Sequence, residues 1–166
     1  MVHMEQGSIL VRRIRPSDTE DLTAFYRALC PASRGTRFLV ATTGISTQQA
    51  RSFTSAPERG ADGFVAVERS SGEIVGHLCL EPVRPGVEEI GVATVDRLQG
   101  KGIARSLLKA AIGSGRRRRT RTFEATMLIG NHGIHRLLQR AGIPWRRRPV
   151  EFGTELLTMD LEAAAA

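Results

Sequence analysis

The chain has 166 residues, 41% of them apolar and 25% charged, which suits one globular domain with a core of its own. No run approaches the roughly 20 apolar residues of a membrane span. The opening Met1 to Gly7 is polar rather than leader-like, and Cys30 and Cys79 make neither a disulfide framework nor a zinc spacing. The net charge of +7 admits nucleic acid, anionic lipid or phosphate as partners. The arginine runs Arg116 to Arg119 and Arg146 to Arg148 lack interleaved aromatics on which bases could stack, and read as solvated turns. Membrane and nucleic acid are therefore not expected, and a reducing, cytoplasmic home is the simplest reading.

In chain order, Ser8 to Ile14 alternates and predicts a first strand. Ser17 with Glu20 three residues on predicts a capping box, and Leu22, Phe25, Tyr26 and Leu29 form a helix face ending before Pro31. Leu39 to Gly63 is the least legible stretch. A short helix over Thr47 to Ser55, with Ala50 and Phe53 inward, fits it best. Phe64 to Glu68 and Ile74 to Leu80 read as strands joined by the turn Ser70-Ser71-Gly72, and Val87 to Val95 as a third antiparallel strand. A helix is expected from about Lys101 to Ile112, ended by Gly113 and Gly115. Thr122 to Ile129 is a strand that a right-handed crossover should set parallel to the one before. Asn131 can cap a last helix with Ile134, Leu137, Leu138 and Ala141 inward and Gly142 at its end. Pro149 to Leu161 alternates enough for one or two final strands, and Met1 to Gly7 and Glu162 to Ala166 are expected to fray.

Between the third strand and the helix lies Gln99-Gly100-Lys101-Gly102-Ile103-Ala104. A strand, a glycine turn and a helix start make an anion site, because first-turn amides lack partners and the dipole favours negative charge. Two phosphate motifs fail. Lys101 is followed by Gly102 where a Walker loop needs Ser or Thr, and Ala104-Arg105 stands where a dinucleotide fingerprint needs its last glycine.

The hexapeptide resembles the pyrophosphate loop of the GNAT acyltransferases, (Q/R)-x-x-G-x-(G/A). Cys30 to Phe38 is similar to a segment of bacterial Pat-type protein lysine acetyltransferases, close to L-S-P-E-S-R-Y-x-R-F, keeping Pro31, Ser33, Arg34, Arg37 and Phe38 and replacing its acidic and aromatic positions with Ala32 and Gly35. Asn131 with Gly142-Ile143 resembles the family's later helix. The resemblance spans nearly the whole chain. It implies a single α/β (α+β) GNAT domain over residues 1–166, with a mixed sheet of about six to seven strands and about four helices.

It also implies acetyl-CoA, or another short acyl-CoA, as co-substrate, no metal, and a primary amine as acceptor, with protein lysine favoured. A small-molecule amine, or a non-catalytic acyl-CoA sensor, are the alternatives; monomer and homodimer both stay open. Gln99, Gly100, Lys101, Gly102, Ile103, Ala104 and Arg105 would hold the pyrophosphate, Val92, Thr94 and Val95 would face the pantetheine, and Asn131 would contact the cofactor or simply cap its helix. Deprotonating an ammonium needs a base. The resemblance assigns that role to Glu89, whose apolar neighbours Ile90 and Val92 would bury it and raise its pKa. Glu88 would point to the opposite face, and a solvated pair with no role is the remaining reading. No Tyr stands on the last helix to act as an acid. Tyr26 and Cys79 read as core, and His132 and His135 lack the further ligands a metal would need.

Overall fold

The structure, a computed structural model, describes residues 8–164. The strands are β1 (Ile9–Arg13), β2 (Asp62–Glu68), β3 (Ile74–Arg84), β4 (Val87–Thr94), β5 (Thr122–Leu128), β6 (Trp145–Pro149) and β7 (Thr154–Asp160). The helices are α1 (Thr19–Ala28), α2 (Pro31–Phe38), α3 (Thr47–Thr54), α4 (Ile103–Arg117) and α5 (His132–Ala141). Seven strands form one sheet in the order β1-β2-β3-β4-β5-β7-β6. All neighbours are antiparallel except β4 and β5, which the crossover through α4 sets parallel.

The alternation of each strand sorts its side chains between two helical layers. Leu78, Leu80, Ile90, Phe123, Ala125 and Leu157 meet Ile103, Leu107, Leu108 and Ala111 of α4 and Leu138 of α5. On the other face Val65 and Ile74 meet Leu22, Phe25 and Tyr26 of α1 and Ala50 of α3.

Several elements differ from the sequence reading. Five helices form among the described residues, one more than the elements read from the sequence. The extra one, α2, buries no residue fully and is defined by its ends: Pro31 at its first position, Cys30 Sγ accepting the Ser33 amide, and Leu39 left-handed at its close. The Ser17 capping box does not form. Instead Asp18 accepts the Arg15 amide at 2.8 Å and pairs with Arg12 at 2.7 Å. α4 runs through Gly113 and Gly115 to Arg117. A Cβ at Gly115 would lie 2.9 Å from the Phe123 ring, so this glycine admits close helix–sheet contact rather than ending the helix. The first arginine-rich run closes α4 and the second is strand β6, so neither is a plain solvated turn. Of the one or two final strands expected over Pro149 to Leu161, β7 lies inside that stretch and β6 reaches its first residue. Glu162 and Ala163 donate their amides to Asp160, while residues 1–7 and 165–166 lie outside the described residues.

The feature that positions the site is an interruption. β4 pairs with β5 only at Val87↔Thr122, Glu88↔Phe123 and Glu89↔Glu124. β4 stays with β3 as far as Thr94, and β5 stays with β7 along its whole length. Past Glu89 the two middle strands part, and the edge of β4 from Ile90 to Thr94 has no strand partner on that side among the described residues.

Candidate active site

The parted edge of β4 leads into the loop before α4. A 3-10 turn, Asp96–Leu98, anchors the loop through buried Leu98. Gly100 (φ 75°) and Gly102 (φ 87°) then take the left-handed conformation that glycine tolerates best. A Cβ on either would meet nothing within 4 Å, so the space before them is open. Gly102 caps α4 without a side-chain bond, and the first turn carries no acid. The first amide drawn into the helix is that of Ser106, donating to Gly102 at 3.0 Å. The amides of Gly100, Gly102, Ile103, Ala104 and Arg105 have no acceptor among the described residues, while the exposed Lys101 and Arg105 stand beside them. That is the donor set an anionic ligand such as a pyrophosphate calls for.

Other sequence-picked residues do different work. The Val95 amide is taken by the Val75 carbonyl at 3.0 Å, and those of Gln99 and Lys101 close turns onto Asp96 and Leu98. The Gln99 side chain turns away from the open loop. It donates to Ser33 Oγ (3.1 Å) and the Asp96 carboxylate (3.3 Å). Asp96 also accepts from the Cys30 amide (2.8 Å), Cys30 Sγ (3.2 Å) and Ser33 Oγ (2.5 Å). Burial pushes its pKa up, but these donors outweigh burial and hold it below the usual carboxylate value. The loop is thus clasped to α2, a link sequence reasoning missed. Val92 and Thr94 are half-buried on the free edge, and Thr94 Oγ1 has no partner. Asn131 stands at the start of α5 without making a side-chain cap bond.

The two neighbouring carboxylates are sorted by the pleat. Glu88 faces the α4 side, buried, paired with Arg118 and accepting the Thr120 hydroxyl at 2.9 Å. Glu89 faces the layer of α1, α2 and α3 and is exposed, so the burial expected from Ile90 and Val92 does not occur; those two point the other way. Register puts two further carboxylates beside it, Glu81 on β3 and Glu124 on β5. Arg59 pairs with Glu81 (2.9 Å) and Arg84 with Glu124. Glu89, in the middle, has no partner among the described residues.

Under this face lies a buried polar group. The Tyr26 hydroxyl meets His77 Nδ1 at 2.7 Å. Burial, helped by the nearby Arg37 cation, pushes the His77 imidazole down to about 3, and burial pushes Tyr26 up to about 12 despite Arg37. Tyr26 is therefore part of the core and not an exposed acid. No group of three or more His, Cys, Asp or Glu suited to a metal occurs among the described residues, and no described helix is long and apolar enough to cross a membrane. Two open cavities of about 410 and 700 Å³ lie at the far end of α4, around Arg118 and around Arg116, Arg119 and Arg121.

Comparison with known proteins agrees with this layout. The chain is similar in structure to the GNAT domain of PAT from S. lividans, with a TM-score of 0.81 and 23% identity over 95% of this chain and 99% of that one. It is similar to yncA of Salmonella typhimurium, solved with its cofactor acetyl-CoA (TM-score 0.74, 22% identity, 96% and 97% covered). It is also similar to the ribosomal-protein-alanine N-acetyltransferase of Brucella melitensis (TM-score 0.70, 23% identity, 90% and 97% covered). A search of curated proteins finds no match. At these identities the likeness shows a shared fold. The family assignment comes from the sequence, where the model of the acetyltransferase (GNAT) family matches residues 22–143, from the middle of α1 to just past α5. That match takes in the glycine loop, the parted strand and Asn131, and the chain belongs to the GNAT acetyltransferase family.

Proposed function

We propose that the protein is a single-domain, cytoplasmic N-acetyltransferase that moves the acetyl group of acetyl-CoA to a primary amine, with protein lysine as the acceptor and Glu89 as the base. One observation carries the reading. Glu89 is the single carboxylate of the row Glu81–Glu89–Glu124 left without an arginine, and it stands where β4 parts from β5.

In this reading the free amides of Gly100, Gly102, Ile103 and Ala104 bind the pyrophosphate, with Lys101 and Arg105 adding charge. Pantetheine follows the unpaired edge at Val92 and Thr94. The side chain of Asn131, which makes no cap bond, is free to meet it. The acceptor approaches from the α1–α3 face. Its ammonium gives a proton to Glu89, the amine forms a bond to the thioester carbon, the C–S bond breaks, and the leaving thiolate takes the second proton from nitrogen. The structural likeness to yncA with its bound acetyl-CoA supports the choice of co-substrate. The row of glutamates supports a cationic acceptor.

The test is thiol release from acetyl-CoA with lysine-bearing peptides and with small amines. Glu89→Gln keeps the shape and removes the basicity. Turnover should fall roughly 10²- to 10⁴-fold, the range for loss of a general base, while acetyl-CoA affinity stays within a few-fold of wild type. Normal turnover by Glu89→Gln would remove the base assignment. Binding of acetyl-CoA without turnover on any amine would favour a sensor, and turnover on small amines alone would replace lysine as the acceptor.

A further inference from the structure

The acceptor face holds a charge that this chemistry does not yet use. Arg37, near the end of α2, lays its guanidinium against β4 at Gly91. A Cβ on Gly91 would lie 2.5 Å from its Cζ and Nη2, so a side chain there would displace the guanidinium. The guanidinium carbon lies 5.0 Å from the Phe38 ring centroid and 5.9 Å from that of Phe53. Nη2 donates to Cys79 Sγ at 3.0 Å, and Nε is sealed from solvent with no acceptor. Arg37 makes no ion pair among the described residues. Desolvation opposes its charge, but Cys79, the Tyr26 hydroxyl and Glu89 outweigh that and hold it protonated.

A half-buried cation without an ion pair, its Nε sealed from solvent, is unfavourable to keep in a fold. Its place suggests why this one is kept. Gly91 is two residues past Glu89 on the same face, and the second residue of the edge that β5 abandons. A cationic acceptor is repelled by Arg37, and the repulsion favours the neutral, nucleophilic amine. The group that turns negative beside this edge during transfer is the thioester oxygen.

We propose that Arg37 is a further catalytic residue, its guanidinium donating to the thioester oxygen as negative charge develops there. The inference rests on the transferase reading above. As the amine nitrogen bonds to the thioester carbon, the carbonyl electron pair moves onto oxygen. It returns when the C–S bond breaks and the sulfur leaves with its pair and the nitrogen's second proton, Glu89 having taken the first. A donor already packed against Phe38 and Phe53 needs little reorganisation at that moment, which is what makes such stabilisation effective.

The test compares Arg37→Met, which fills the slot without charge, with Arg37→Lys, which keeps a charge. Wild-type thiol release is measured first, then kcat for each variant at pH 6 and pH 9, acetyl-CoA affinity by calorimetry, and the thermal midpoint. Arg37→Met should lower kcat roughly 10²- to 10³-fold, the range for losing one oxyanion donor. The loss should be equal at both pH values, because guanidinium does not titrate there. Affinity should stay within threefold and the midpoint should hold or rise. Arg37→Lys should recover at least tenfold. A kcat for Arg37→Met within threefold of wild type would overturn the proposal. So would a loss matched by weaker acetyl-CoA binding or a lowered midpoint, since that would mark a packing role. A wild type that releases no thiol would remove the transferase reading and this one with it. Normal turnover by Glu89→Gln beside a slow Arg37→Met would remove the base and leave Arg37 standing.

Discussion

Glu88 and Glu89 are adjacent, alike and opposite in fate, because successive residues of a strand face opposite sides of its sheet. Glu88 is tied into structure by Arg118 and Thr120. Arg118 comes from a run that reads as a solvated turn, yet it is only partly exposed and its loss would leave Glu88 buried without a counter-charge. Breaking a buried pair from one side costs about 3–5 kcal/mol. Arg118→Ser should therefore lower the denaturant midpoint sharply, whereas Arg117→Ser, at an exposed position with no side-chain hydrogen bond or ion pair among the described residues, should leave it nearly unchanged. Urea titrations of the two variants check this; equal midpoints would mean that Glu88 finds another partner. The sequence could not separate these arginines, because the difference lies in a contact between positions 30 apart.

The glycine loop and α4 were legible because every local signal agrees: a β run, two glycines, then apolar residues at helix spacing. α2 was not, since P-A-S-R-G-T-R-F has no apolar stripe and buries nothing fully; its capped ends define it. β6 was hidden for a related reason. W-R-R-R-P has the composition of a loop, but it forms the outermost strand, where arginines guard an edge against further pairing. The row Glu81–Glu89–Glu124 exists only through register and cannot be read along the chain. The element that was legible gives a sharp expectation. Gly102→Ala adds only the left-handed strain of about 1–2 kcal/mol, and acetyl-CoA affinity should fall modestly if at all. Gly102→Glu adds a carboxylate among the free amides, so affinity should fall at least roughly 100-fold through repulsion of the phosphates. Calorimetry with both variants checks it. Equal, near-normal affinity in both would take the pyrophosphate away from this loop.

At the scale of the molecule, the α1–α3 layer is joined to the sheet through Tyr26 and His77, both fully buried. Burial holds His77 near 3 in the fold, against 6.5 when unfolded. At pH 7 the imidazole is neutral in both states and costs nothing. Below 6.5 the unfolded chain takes up a proton that the fold cannot, so stability falls with pH by up to roughly 1.4 kcal/mol per unit until about 3. Asp18, Asp62 and Asp96 act lower. Burial raises each, but their hydrogen bonds outweigh it, so their folded pKa values lie below 3.8 and their contribution is lost only as pH falls through that region. The loss between pH 6.5 and 4.5 thus belongs chiefly to His77. The double variant Tyr26→Phe, His77→Phe removes both polar partners, leaving no orphaned hydroxyl. Its urea midpoint should be nearly the same at pH 6.5 and pH 4.5, while that of the wild type drops. A wild type equally stable at both pH values, or a double variant that keeps the full slope, would show that His77 is not what makes this layer sensitive to acid.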